Sequence, residues 1–432
     1  MRVIKLSPHE TVSPETLGRG AAFSSEVEQS VAQIIAEVRT RGDEALIAYT
    51  EQFDGVQIKQ IRVPDAVRQA ALRAVDVTLM DALQSAARSI VAFHEQQIDK
   101  SWFDTRDDGA FVGSKITPID SVGIYVPGGR ALYPSTVLMN ALPARVAGVR
   151  RIVMVTPPKS DGTIDPAILA AAQIAGVTEI YAVGGAQAIA ALAYGTESID
   201  KVDKITGPGN AFVAAAKRQV FGDVGIDMIA GPSELLILAD ESAEPALIAI
   251  DLMAQAEHDP QSCCYLVTTD ELLVEEVLEE IDEFLKDSPR ADITKESLDN
   301  NGIIFVAADL ATALQTVNTI APEHLEVHMD NPFDMLGLID NAGAIFLGPW
   351  TPESVGDYIA GPNHTLPTGG TARFSSPLSV DDFVKRTSVV SYTYPALKKD
   401  AEAIEAIAAK EGLWAHGKAV RARFELLEDE AD

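Results

Sequence analysis

Cysteine is almost absent from this 432-residue chain: Cys263 and Cys264 are the only two, and they are adjacent. Neighbouring cysteines suit neither a disulfide framework nor a paired-cysteine zinc site, so a reducing, cytoplasmic setting is expected. Basic residues are scarce as well, 34 Lys and Arg against 64 Asp and Glu, giving a formal net charge of −30. Such a surface repels nucleic acid and anionic lipid, and neither is expected as a partner. Gly, Pro or a charge interrupts every apolar run before it reaches membrane-spanning length, and Met1 to Pro8 lacks a signal-peptide core. What is present is hydrophobic material, 47% of residues, enough for two or three buried cores.

The first 20 or so residues are polar and punctuated by Pro and Gly, which reads as an arm. Ser24 to Tyr49 carries Val27, Val31, Ile34, Ile35 and Val38 at helical spacing, and a second amphipathic run covers Pro64 to Gln97. From Ser121 the pattern changes to short apolar strands that end in glycine turns and lead into helices. Arg151–Thr156, Glu179–Val183 and Val202–Thr206 alternate with helical runs, and the rhythm resumes with Leu235–Leu238, Cys263–Thr268 and Ile303–Ala307. Strands and helices in such alternation imply parallel sheets with right-handed crossovers, here in two similar α/β lobes. Beyond Pro377 the alternation stops, and Ser379 to Glu428 reads as mainly helical.

Three glycine turns follow strands: Pro127-Gly128-Gly129, Gly184-Gly185-Ala186-Gln187 and Gly207-Pro208-Gly209-Asn210. Each can present backbone N–H groups to an anion, or be a turn and nothing more. None completes the GxGxxG dinucleotide fingerprint.

Seven histidines bound the proton and metal chemistry. Gln255 and His258 close an apolar helical run with Ile248 and Leu252 on the same face. Two neutral donors three residues apart can grip one metal ion, and a capped helix with a solvated histidine has the same spacing. Glu323-His324 follows a helix-breaking Pro322. The pair is competent for proton transfer near neutral pH, whereas on a regular strand the two side chains would point to opposite faces. Asp357 can add a hard carboxylate to the Gln/His pair, and His364 lies in an irregular segment rich in turn formers. His9 and His94 are expected to be solvated and His328 to be half-exposed. Cys263 and Cys264 sit in an apolar strand pattern, where a thiol is inert.

Taken together, these blocks resemble the histidinol dehydrogenase family over essentially the whole chain. The resemblance is carried by Val122 to Gly129, Ala182 to Ala190, Gly207 to Asn210, Gly231-Pro232-Ser233-Glu234, Ala254 to Pro260, Ala321 to Leu325, Gly361 to His364 and Glu411-Gly412-Leu413-Trp414-Ala415-His416. It implies two incomplete Rossmann-like domains: a main α/β domain of residues 21–124 and 233–376, and an NAD-side domain of 125–232. An arm (1–20) would precede them, and a helical tail (377–432) would cross to the partner of a homodimer. It further implies zinc on Gln255, His258, Asp357 and His416, and proton transfer by Glu323 and His324. Substrate contacts would come from Ser233, Gln255, His258, His324, Asp357, Glu411 and His416, and NAD contacts from Tyr125, Gln187 and Asn210. The implied activity is oxidation of L-histidinol through L-histidinal to L-histidine with two NAD. A zinc-dependent hydrolase with Glu323 as base would use the same ligands and leave the glycine turns idle. A two-lobed solute- or metal-binding protein would leave Glu323-His324 unexplained.

Overall fold

The computed structural model describes residues 1–13, 15–17, 24–128 and 132–429; Gly129 of the first glycine turn and residues 14 and 18–20 of the expected arm lie outside them. Among the described residues fourteen strands run in chain order: β1 Arg2–Leu6, β2 Trp102–Thr105, β3 Phe111–Pro118, β4 Ser121–Tyr125, β5 Arg151–Thr156, β6 Glu179–Ala182, β7 Lys204–Thr206, β8 Gly225–Ile226, β9 Glu234–Ala239, β10 Cys263–Thr268, β11 Ile303–Ala307, β12 His324–His328, β13 Ala344–Leu347 and β14 Val384–Ser391. They form three sheets. The five-stranded sheet has the order β6-β5-β4-β7-β8 and the six-stranded sheet the order β1-β11-β10-β9-β12-β13, every pair parallel.

Numbered within itself, the five-stranded sheet runs 3-2-1-4-5. The six-stranded sheet repeats that order once β1 is set aside. This is the dinucleotide-fold order lacking its sixth strand, and its recurrence supports the two similar lobes.

Both sheets are covered on both faces, which is why their strands read as continuous apolar runs. In the five-stranded sheet Val153 and Val155 pack with Val31, Ile34 and Val38, while Ile152 and Met154 pack with Leu83, Ala86 and Ile90. Period-two alternation along β5 thus sends neighbours to opposite cores. The helices Ser25–Arg41 and Val77–Glu95 therefore cover the sheet that contains β4. This differs from the expected grouping of residues 21–124 with 233–376. In the six-stranded sheet Leu236, Leu238 and Phe305 face Val317 and Ile320, and Leu235, Ile237 and Ile304 face Ile248, Leu252 and Val277.

Two expectations are corrected at the ends of the chain. Residues 2–6 are a strand, β1, paired in register with β11 and burying Leu6, so the beginning of the chain belongs to a sheet. Residues 384–391, expected as helical, form β14, antiparallel to β3 over eight residue pairs. The chain divides into two compact units, 1–98 with 119–383, and 99–118 with 384–432. The second unit holds the antiparallel sheet β14-β3-β2 and the helices Tyr394–Lys410 and Trp414–Asp429, with Gly412 at φ +73° between them. Among the described residues no helix is long and apolar enough to cross a membrane.

Arg151 on β5 forks onto Glu179 on β6, with Nε–Oε1 at 2.7 Å and Nη2–Oε2 at 3.1 Å. The guanidinium hydrogen bond is the main reason that the Glu179 carboxyl is held below the usual carboxylate range. Its stabilisation is present above the ordinary carboxylate value and is lost as pH falls through the depressed one. Arg151→Ala is expected to cost about 1.5–3 kcal/mol at neutral pH. The gap to wild type in urea midpoint should narrow below about pH 4 to the part owed to the Arg151 bonds to the Asp200 and Lys201 carbonyls, each 3.0 Å; a gap independent of pH would count against the pair.

Candidate active site

The site is built at the amino ends of β9 and β12, the neighbouring strands where the order of the six-stranded sheet reverses. Helix Leu310–Ile320 ends on Ala321 in the left-handed conformation (φ +49°), and Glu323 lies in a bend before β12 begins at His324. Because Glu323 precedes the pleat, the two side chains converge, with Oε2 of Glu323 3.8 Å from Nδ1 of His324. Glu323 Oε2 accepts from the N–H of Glu234 at 2.9 Å. His324 Nδ1 lies 3.2 Å from the carbonyl oxygen of Glu234. A carbonyl can only accept, so Nδ1 carries the proton, and Nε2 is left as a base with its lone pair free. That Nε2 is buried without a hydrogen-bond partner. Ser233 is half-buried immediately before β9, so the backbone of 233–234 forms one wall of the site.

Helix Pro245–Ala256 supplies the second wall. Gln255 is fully buried in its last turn, and the His258 N–H bonds back to the Gln255 carbonyl at 3.3 Å, holding both side chains at one end. The third wall is the short helix Glu353–Tyr358, whose Glu353 and Asp357 lie four residues apart on one face. Ligand atoms of His258, Glu353 and Asp357 all come within 4.8 Å of one another. With its amide nitrogen turned toward Glu353, Gln255 donates to both carboxylate oxygens at 2.9 and 3.0 Å. Its amide oxygen is then left available as a ligand. Asp357 Oδ1 also lies 3.8 Å from His324 Nε2 and 3.9 Å from His364 Nδ1.

Burial governs the electrostatics. It pushes the carboxyl groups of Glu323 and Glu353 well up, the latter further raised by Asp357 and Glu323 beside it. It pushes His324 and His364 down, toward neutral imidazole. Among the described residues no lysine or arginine pairs with Glu323, Glu353 or Asp357. Two buried carboxyl groups, Glu323 and Glu353, and the partly buried Asp357, without a basic partner and beside neutral nitrogen and amide donors, suit a divalent cation such as zinc.

Glu353 and the inward role of His364 escaped the sequence reading. The only available signal was the i, i+4 spacing of Glu353 to Asp357 in a segment too short to announce itself as helix. Two histidines are corrected: His94 is fully buried and His328 is 3% exposed, against a solvated and a half-exposed expectation. His328 Nε2 lies 3.2 Å from Glu326 and 3.9 Å from Asp251, whose carboxyl is pushed up to about 8 chiefly by burial. Cys264 is buried with its thiol pushed well up, consistent with an inert strand residue. Glu411 and His416 belong to the second unit, where both are exposed.

The residues expected at a dinucleotide gather at the carboxyl ends of β4, β6 and β7. Tyr125 is buried, and its hydroxyl accepts from the Gly185 N–H at 3.1 Å; burial pushes its ionisation up to about 12. Gln187 is buried with its amide oxygen unpartnered, which leaves an acceptor for a ligand donor. Asn210 is exposed and caps helix Ala211–Val220 through Phe212 and Val213 N–H groups, both at 3.1 Å. This face lies at the topological switch point between β4 and β7, where open α/β sheets bind ligands.

A family model described as histidinol dehydrogenase matches residues 17–424. A histidinol dehydrogenase of Bacillus cereus is 54% identical over 399 residues, covering 92% of this chain and 93% of that protein. Another from Listeria monocytogenes is 54% identical over 425 residues, covering 98% and 99%. The crystal structure of histidinol dehydrogenase from Elizabethkingia anophelis superposes with a TM-score of 0.94 at 38% identity, covering 99% of both chains.

Proposed function

The chain belongs to the histidinol dehydrogenase family of oxidoreductases, and from that premise we propose that it oxidises L-histidinol through L-histidinal to L-histidine as a cytoplasmic homodimer, using two NAD and one zinc ion per subunit. The observation that carries this reading is the buried carboxylate group without a basic partner, set against a histidine whose Nε2 is free to take a proton. Gln255, His258 and Asp357 would hold the zinc, with the partner subunit's His416 completing the protein ligands. When bound, zinc supplies a fixed positive charge that orients the substrate's nitrogen atoms, and NAD accepts the hydride of each oxidation.

His324, its Nδ1 tied to the Glu234 carbonyl, takes the alcohol proton on Nε2. Glu323, held at the Glu234 N–H, takes the proton of the water that adds to the aldehyde, and His324 assists again in the second oxidation. Ser233 immediately precedes Glu234, whose backbone holds both, and is a substrate contact on this reading, as is Glu411 from the partner. Tyr125, Gln187 and Asn210 serve NAD at the other sheet. A hydrolase with Glu323 as base would leave that second face without a role.

The test is the yield of NADH from limiting L-histidinol. Two NADH per histidinol, lost on chelation and restored by zinc, is the expected result; hydrolysis without any NADH would overturn it. Glu353→Ala should weaken zinc binding by roughly 10–100-fold, because Gln255 loses the carboxylate that orients its amide. Competition against a chromogenic chelator reads this directly, and unchanged zinc retention would remove Glu353 from that role.

A further inference from the structure

The third glycine turn is gripped by two buried charges. Gly207 follows β7 with φ +111°, and a Cβ there would lie 2.2 Å from the carbonyl oxygen of Tyr125, so only glycine brings the turn this close to the end of β4. Its N–H donates to Asp227 Oδ2 at 2.8 Å, and its carbonyl accepts from Lys217 Nζ at 2.9 Å. Lys217 and Asp227 also pair with each other, their side chains 3% and 1% exposed. The two peptides flanking the Gly207 Cα are therefore each fixed by one member of an ion pair. Lys217 lies on the helix that Asn210 caps, and Asp227 follows β8. Replacing a buried ion pair with well-packed apolar residues is often neutral for stability. Beyond satisfying the buried N–H and C=O of Gly207, two charges aimed at one glycine fix where its turn lies.

We infer that Lys217 and Asp227 are positioning residues for the dinucleotide: they lock the Gly207–Asn210 turn against the end of β4 and thereby set the affinity for NAD, leaving the histidinol site untouched. The inference rests on the reading of this face as the NAD side. Neither residue is placed against the cofactor itself. Their effect passes through the backbone of the turn, where a displacement of about 1 Å is enough to cost about 100-fold in a positioned reaction.

The test uses the zinc-loaded full-length enzyme. In Lys217→Met/Asp227→Leu the ion pair is exchanged for apolar volume and Gly207 loses both partners. Expected is a rise in KM for NAD of about 10–100-fold, with KM for histidinol within a few-fold of wild type; a lower thermal midpoint accompanies it, because the buried Gly207 N–H and C=O are left unpaired. Asp227→Asn retains an acceptor for the Gly207 N–H and nearly the same volume, and serves where the double variant does not fold; a smaller rise confined to NAD is expected. Unchanged KM for NAD in a folded variant, or an equal rise in both KM values, overturns the inference. Asn210→Ala separates it from the reading beneath. If that variant raises KM for NAD and the clamp variants do not, only the clamp fails; if none of them does, the assignment of NAD to this face fails as well.

Discussion

Glu323→Gln is expected to leave the first oxidation running and to stop the second. The substitution is nearly isosteric, and the new amide oxygen can still accept from the Glu234 N–H that Glu323 holds at 2.9 Å. The site should therefore keep its shape, and His324 its tie to the Glu234 carbonyl. What disappears is the ability to take a proton from water. On the proposed assignment that matters only when the aldehyde is hydrated, so the second step should slow by about 100- to 10,000-fold. The readout is one NADH per histidinol instead of two, with the aldehyde recoverable by a carbonyl trap. Two NADH per histidinol at a near wild-type rate would remove Glu323 as the base. His324→Asn makes the useful contrast: it should slow both steps, since Nε2 is the free base in each.

The parts of this site that were legible in the sequence were those in which chemistry and local pattern coincide. Gln255 and His258 at a helix end, and Glu323-His324 after a proline, stand out because polar residues interrupt apolar runs at element boundaries. Glu353 did not stand out. Its role comes from burial against Gln255 and His324, residues about 98 and 29 positions away in the chain, and only tertiary packing creates such a relation. The same reasoning accounts for His94 and His328: a histidine on an amphipathic helix or an alternating strand looks solvated until the element that covers it is known. At the fold level, strand–helix alternation was enough for two parallel lobes. It did not say which sheet the first helices cover, because Val31, Ile34 and Val38 would suit any apolar face. β1 and β14 were missed since exposed positions predominate along both, leaving little apolar pattern to read.

Mixing two chains that each fail to make histidine, one Glu323→Gln and the other His416→Asn, is expected to restore oxidation of histidinol through to histidine. Glu411 and His416 lie exposed in a unit of their own, at the junction of two helices, and Trp414 between them is 77% exposed. A tryptophan so placed, beside a histidine with no buried work to do in its own unit, fits a segment that finishes another copy's surface. The first unit likewise leaves Trp350 and Phe374 exposed, at 91% and 82%. If each tail completes the partner's site, a two-fold dimer contains two shared sites. A mixed dimer then collects both substitutions in one of them and leaves the other wholly wild type. Each homodimer has two damaged sites, so activity that appears only on mixing and scales with the heterodimer fraction measures sharing directly. The Glu323→Gln parent should still yield its single NADH, so the assay must follow histidine itself. A verified heterodimer that makes no histidine would place His416 in its own subunit's site, and a His416→Asn parent that makes histidine unaided would place it outside the site. Zinc content tests the ligand role itself: depletion at both sites of the His416→Asn homodimer is expected, and full zinc occupancy there would remove His416 from the ligand set.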